Sequence, residues 1–237
     1  MKNYNYDEFS SNTYDLDNFY GPAVGDKAPN FSLSNIAGEI VNLLDFTGDF
    51  LVLELGSITC PLFQGRREGM SDLVGLFPSV NFSVLYVREA HPGSNIPSHK
   101  SIEGKIGCAK KLNKDGEKRG ILIDEINGSA HNGYGGYPNA VFIVNKNQCV
   151  VYRSDWNSVP ATKAALTRLL SGKPANNKSY FLPVKPSIAI KTLRRSGKGA
   201  AKDFFKGLPT LIWKNVIKRN VSLFLNVETI TPPDAKC

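Results

Sequence analysis

Cysteine is scarce in this chain, four in 237 residues, and one of them stands where chemistry is easiest to do. In Gly56-Ser-Ile-Thr-Cys-Pro, the thiol of Cys60 follows the apolar run Phe50–Leu55 and precedes a proline suited to the first position of a helix. A thiol at a helix N-terminus faces unpaired backbone N–H groups and the positive end of the macrodipole. Both favour thiolate, and can bring a free-cysteine pKa of about 8.5 toward neutrality. Ser57 and Thr59 supply hydroxyls that could donate to the sulfur. The position three residues on, where a dithiol enzyme carries its second cysteine, is Phe63. That leaves a one-thiol site that depends on an outside reductant.

Two of the three histidines fall in one later loop, Tyr86-Val-Arg-Glu-Ala-His-Pro followed by Ile96-Pro-Ser-His. If Phe50–Leu55 and Asn81–Arg88 are neighbouring parallel strands, their C-terminal ends lie side by side. Tyr86, Glu89, His91 and His99 then come within reach of Cys60, and a thiolate beside imidazoles can exchange protons with them.

The elements that must position these groups follow from pattern. Phe31–Ser34 and Glu39–Leu43 read as a β-hairpin, and Pro61–Leu76 as a helix. Ser101–Leu112 gives a second helix, Ile121–Ile126 a strand, Ala140–Val144 with Cys149–Arg153 a hairpin, and Pro160–Leu170 a closing helix. This order predicts an α/β thioredoxin-like fold: a mixed central sheet with helices on both faces, an N-terminal hairpin and a basic helical C-terminal extension. Pro138, directly before a late strand, is expected to be cis and to sit beside the thiol.

Residues 1–24, acidic and rich in Asn and Tyr, read as a flexible tail, residues 25–171 as the thioredoxin-like domain and 172–237 as a linker and extension. From Ser171 onward there are thirteen Lys/Arg against three Asp/Glu, so the overall +8 belongs to the extension. The part bearing Cys60 is therefore no nucleic-acid binder. Within 171–198 the Pro and Lys content reads as linker; Ala200–Asn220 reads as a basic amphipathic helix, interrupted at Pro209. It docks on the domain, or touches a membrane surface or a protein partner. No N-terminal signal pattern or bilayer-length apolar run occurs, which places the chain in the cytoplasm. The cysteine spacing suggests neither a disulfide scaffold nor a metal site: Cys108 reads as a helix cysteine with a resolving role as the alternative, Cys149 as core and Cys237 as a free terminal thiol.

From Gly25 to Leu170 the chain resembles the iodothyronine deiodinases, thioredoxin-fold enzymes whose nucleophile is normally selenocysteine. The matching blocks are Gly56-Ser-Ile-Thr-Cys-Pro, Tyr86-Val-Arg-Glu-Ala-His-Pro, Ile96-Pro-Ser-His-Lys-Ser-Ile-Glu and Tyr134-Gly-Gly-Tyr. The resemblance puts Cys60 in the selenocysteine position and Ser57 and Thr59 beside it. It gives Tyr86, Glu89, His91 and His99 to proton delivery or phenol contact. It implies reductive dehalogenation of a small aromatic substrate, an external thiol such as thioredoxin or glutathione as reductant, no bound cofactor, and a homodimer. Tyr137 and Pro138 are expected at the substrate. Asn139 stands where the family has an acidic residue. Arg153-Ser-Asp-Trp-Asn replaces the family's carboxylate-recognition turn, with Trp156 near the arginine position and Arg153 offering a carboxylate contact from elsewhere. The alternatives are a peroxiredoxin-like thiol peroxidase, against which Ser57 replaces the usual Thr, and a redox sensor or binding protein without catalysis.

Overall fold

Strand β3 (Phe50–Gly56) is buried at every residue, and this decides its place at the centre of the sheet. The computed structural model describes residues 4–227 and 229–237. Besides β3, the strands are β1 (Ser32–Asn35), β2 (Ile40–Asn42), β4 (Val80–Tyr86), β5 (Gly120–Ile123), β6 (Val141–Asn145) and β7 (Val150–Ser154). They form one sheet in the order β2-β1-β5-β4-β3-β6-β7. Strands β3, β4 and β5 run parallel, and β6, β7, β1 and β2 join antiparallel. The mixed sheet and its βαβ core bear out the α/β thioredoxin-like expectation.

The pleat sorts β3 between two cores. Phe50 and Val52 pack with Met70 and Leu73 of helix α1 (Pro61–Leu76) and with Leu166 and Leu169 of α4 (Val159–Leu170). Val84 and Tyr86 of β4 continue that face under α2 (Ile102–Lys114), through Ala109 and Leu112. Leu51, Leu53 and Leu55 point the other way, where, among the described residues, the only helix contributing buried residues, α3 (Ser129–Gly133), spans five residues. So short a helix cannot cover the face.

Residues 4–24 complete that cover, which corrects the expectation of a flexible tail; residues 1–3 of that tail lie outside the described residues. Tyr4, Phe9 and Tyr14 are buried. The Arg88 guanidinium sits 5.3, 4.9 and 4.8 Å from the ring centroids of Tyr4, Tyr6 and Tyr14. Tyr6 Oη donates to the Ala90 carbonyl at 2.8 Å, so this aromatic strap also touches the loop after β4. Burial of three aromatic rings and the cation–π contacts together fasten a segment whose polar composition had read as solvent-exposed.

Part of the stretch read as linker is helical, and the expected amphipathic helix follows it. Residues Pro186–Ser196 form α5, and Ala200–Leu211 form α6. Pro209 lies inside α6 without breaking it, but the winding then widens to a π turn over Ile212–Arg219 before α7 (Asn220–Leu225). Loss of a backbone donor at proline is a recognised cause of such a change in winding. The helix docks on the domain: Trp156 Nε1 donates to Asn215 Oδ1 at 2.9 Å, Arg219 Nε to Asp155 at 3.1 Å, and Lys214 and Lys218 both reach Asp17. Cys237 returns to β7's neighbourhood and is disulfide-bonded to Cys149, 88 residues away in sequence. This corrects the free terminal thiol; Cys149 lies in the core as expected, and is paired there. Spacing gave no sign of the pair because docking of the whole extension brings the two together.

Candidate active site

Gly56 at the end of β3 pairs with Tyr86 at the end of β4, so the two loops that follow emerge together. Cys60 caps α1: its sulfur accepts the Phe63 N–H at 3.5 Å, with Pro61 opening the helix. The side chain is only 2% exposed. Burial pushes the thiol up to about 12, outweighing the lowering by the α1 amides and the Arg66 guanidinium. The drop toward neutrality expected from the helix N-terminus does not prevail: the helix dipole acts, but desolvation is larger.

Ser57 and Thr59 do not address the sulfur. Ser57 Oγ accepts the Ala90 N–H at 3.2 Å, and Thr59 Oγ1 accepts the His91 N–H at 3.2 Å. The two hydroxyls stitch the loop carrying His91 to the loop carrying Cys60. Thr59 is itself held by Glu89, whose Oε2 accepts its hydroxyl at 2.5 Å and its amide at 3.2 Å. Oε1 of the same carboxylate accepts Tyr86 Oη at 2.5 Å and meets His99 Nε2 at 2.9 Å. Burial raises the Glu89 carboxyl, yet the bonds from His99, Thr59 and Tyr86 prevail and hold it below the usual carboxylate range. Tyr86 closes the circuit by accepting the Ile58 N–H at 3.2 Å. Tyr86, Glu89 and His99 are therefore one buried network behind the thiol, and Glu89 is its hub.

His91 is placed differently. Its ring lies between Phe9 and Phe204, at centroid distances of 4.3 and 5.3 Å, and burial alone lowers it to about 3. Nδ1 is buried and has no hydrogen-bond partner among the described residues. Cys60, His91, Pro138 and Trp156 line one cavity of about 360 Å³, roofed by α5, α6 and the π turn through residues such as Phe204, Leu208 and Leu211. The Tyr137–Pro138 bond is trans, since no cis peptide occurs among the described residues. Pro138 takes its place beside the thiol all the same, delivered by the β6 approach.

Tyr137 stands behind the cavity wall, stacked on Trp156 at 5.0 Å, with its hydroxyl on the Asp15 carbonyl. Arg153 points elsewhere: Nη1 donates to the carbonyls of Gly21 and Pro22 at 2.9 and 3.1 Å, and the guanidinium covers Phe19. It is committed to holding the N-terminal segment and does not line the chamber.

Pattern reading missed Arg66 and the buried polar layer beneath it. Arg66 Nη1 donates to Asn139 Oδ1 at 2.6 Å, and Asn139 Nδ2 donates to Glu54 Oε1 at 2.7 Å. Asn157 Nδ2 joins the same oxygen at 2.6 Å, and Arg119 pairs with Glu54 Oε2. A glutamate inside an otherwise apolar strand was the one signal in the sequence that such a layer existed. Donor atoms of Glu89, His99 and Cys108 lie within 4.8 Å of one another, close enough to share a metal ion. The direct Glu89–His99 and Glu89–Tyr86 bonds already engage the oxygen such an ion would need.

Comparison with known proteins agrees with the geometry. The sequence pattern of the family described as iodothyronine deiodinase matches residues 4–160. The thyroxine 5-deiodinase of Ovis aries is 30% identical over 104 residues, 40% of this chain and 36% of that protein. The human enzyme of the same name is 28% identical over 142 residues, 54% of this chain and 47% of that protein. The matches thus span between about a third and a half of those relatives. Among solved structures, an uncharacterized conserved protein of Geobacillus kaustophilus superposes with a TM-score of 0.55 at 22% identity, covering 66% of this chain and 86% of its own. A hypothetical protein of Sinorhizobium meliloti 1021 gives 0.54 at 17%, covering 66% and 89%. These two likenesses concern the fold alone.

Proposed function

Because the chain belongs to the iodothyronine deiodinase family, we propose that it is a thiol-dependent oxidoreductase that removes halogen, iodine in the first place, from an aromatic substrate, with Cys60 in the place of selenocysteine. The observation that carries this reading is the shared chamber: a lone thiol and an imidazole with an unpartnered Nδ1 face one apolar cavity of about 360 Å³. A volume of that order suits a small organic ligand.

The starting state is a neutral pair, since burial raises Cys60 and lowers His91. His91 takes the thiol proton as the sulfur attacks iodine. The S–I bond forms, the C–I bond breaks, and its electron pair stays on the aryl carbon. His91 returns the proton to that carbon, so aryl iodide and thiol become arene and sulfenyl iodide. The carbon is reduced by two electrons and the sulfur oxidised by two. An external thiol then displaces iodide to give a mixed disulfide, and a second releases Cys60 with a disulfide as product. No second cysteine of this site is needed. Glu89 acts as a positioning residue: through Thr59 it fixes the His91 backbone.

Several finer assignments belong to the same reading. The reductant is a small dithiol or a thioredoxin-type protein. The Cys149–Cys237 bridge favours an oxidising compartment over the cytoplasm. No helix among the described residues is long and apolar enough to cross a membrane. Iodide release from iodinated phenols with dithiothreitol, lost in Cys60→Ser, is the expected result. Rapid peroxide consumption with no iodide release would favour the thiol-peroxidase alternative, and no effect of Cys60→Ser on either activity would remove Cys60 from the reaction.

A further inference from the structure

The family match ends at residue 160, yet the chamber over Cys60 is roofed by residues from the extension beyond it. That roof is apolar: Phe181, Phe204, Leu208 and Leu211 face the thiol, and none of the residues lining the cavity carries a charge. Four cations of the flanking segments are engaged elsewhere. Arg66 donates to Asn139 and to the Leu182 carbonyl at 2.7 Å, Arg153 to Gly21 and Pro22, and Lys214 and Lys218 to Asp17. The α1 amide of Phe63 is turned onto the Cys60 sulfur. Of the polar side chains lining the cavity, Asn215 accepts Trp156 Nε1 and donates to the Leu211 carbonyl, and the Tyr14 hydroxyl is bonded to that of Tyr6, which leaves the His91 ring as the unpartnered group.

We infer that the extension makes this chamber selective for uncharged aryl halides and excludes those bearing an amino-acid head group. An ammonium or carboxylate brought into the cavity loses its water and meets no opposite charge, whereas an uncharged ring gains apolar contact on every side. The inference rests on the dehalogenase reading for the word halide, but the selectivity itself is a property of the walls.

A matched pair of probes tests it: 3-iodotyrosine, and 2-iodo-4-ethylphenol, which keeps the iodophenol ring and drops both charges. Each is titrated at pH 6.5 against full-length Cys60→Ser carrying the neutral fluorophore N-phenyl-1-naphthylamine. The expected result is displacement by the ethylphenol at a concentration at least 100-fold lower. Leu208→Glu, which places a charge in the roof, is expected to weaken ethylphenol binding at least tenfold. Equal or tighter binding of iodotyrosine, or no binding of either compound, overturns the inference. Should Leu208→Glu fail to fold, the matched pair on Cys60→Ser still decides. The same pair assayed for iodide release on the wild-type protein separates the two readings. Ethylphenol binding without iodide release removes the dehalogenase and keeps the selectivity; release from iodotyrosine alone keeps the dehalogenase and removes the selectivity.

Discussion

Glu89 Oε1 and His99 Nε2 stand 2.9 Å apart, both buried, and the same carboxylate holds Thr59 and Tyr86. The imidazole nearest the hub of the polar network is thus not the imidazole that lines the ligand cavity. Glu89→Gln replaces an acceptor of four hydrogen bonds by an amide whose NH2 faces donors. It is expected to cost about 2–4 kcal/mol in chemical denaturation. It should also lower kcat for halide release at least tenfold with KM little changed, because His91 loses its anchor through Thr59 while the cavity walls stay.

The buried histidines set the acid limb of stability. His91 falls to about 3 in the folded protein and His131 is also lowered, both through burial, against about 6.5 when unfolded. Between those values the unfolded chain binds protons that the folded one does not, so stability is full above pH 6.5 and declines as pH falls. His91 alone should account for about 3 kcal/mol of loss by pH 4. Glu89, held low in the fold, adds to the loss only below the unfolded glutamate value of about 4.3. Urea midpoints from pH 7.5 to 4 should show the decline, and His91→Phe should flatten it.

The Cys60 thiol, raised to about 12, remains protonated across the neutral range. Its alkylation by iodoacetamide, followed by peptide mass spectrometry, should climb about tenfold per pH unit from 7 to 10 without levelling. A plateau near pH 7 would show that the thiolate forms in a state more open than the one described.

Gly93 is where the loop carrying His91 touches the extension. Asn95 and Ile96 amides donate to the Ser196 carbonyl at 2.9 and 3.1 Å, and a Cβ at Gly93 would fall 2.6 Å from that oxygen. Gly93→Ala must push the two segments apart. The expected outcome is a loss of about 1–3 kcal/mol in stability with faster, not slower, alkylation of Cys60.

The sequence exposed the βαβ core because strong local signals agreed there: a strand apolar but for Glu54, a proline at the first helical position, and a second strand leading into the histidine loop. Helix α1 was expected over Pro61–Leu76 and lies there. The placing of Tyr86, Glu89 and His99 around one point also followed from strand adjacency. Their wiring did not, because which hydroxyl meets which carboxylate depends on side-chain packing at distances no spacing encodes. Arg153 read as a carboxylate contact by type, but its direction is set by the N-terminal segment it holds. That segment and the helix Pro186–Ser196, inside the stretch read as linker, differ from expectation for one shared reason. Their own composition is polar or basic, and the apolar residues they do carry become a structural signal only against the sheet face and the thiol chamber that they cover.

The cover over Cys60 has no loose end. It leaves the domain after α4 and is tied back to it by the Cys149–Cys237 bond. A tail could swing clear as a gate does on one post; a segment moored at both ends can only arch. Between its ends the span is also held at the α5–α6 junction, where Asn95 and Ile96 donate to Ser196, so lifting it there means breaking those bonds.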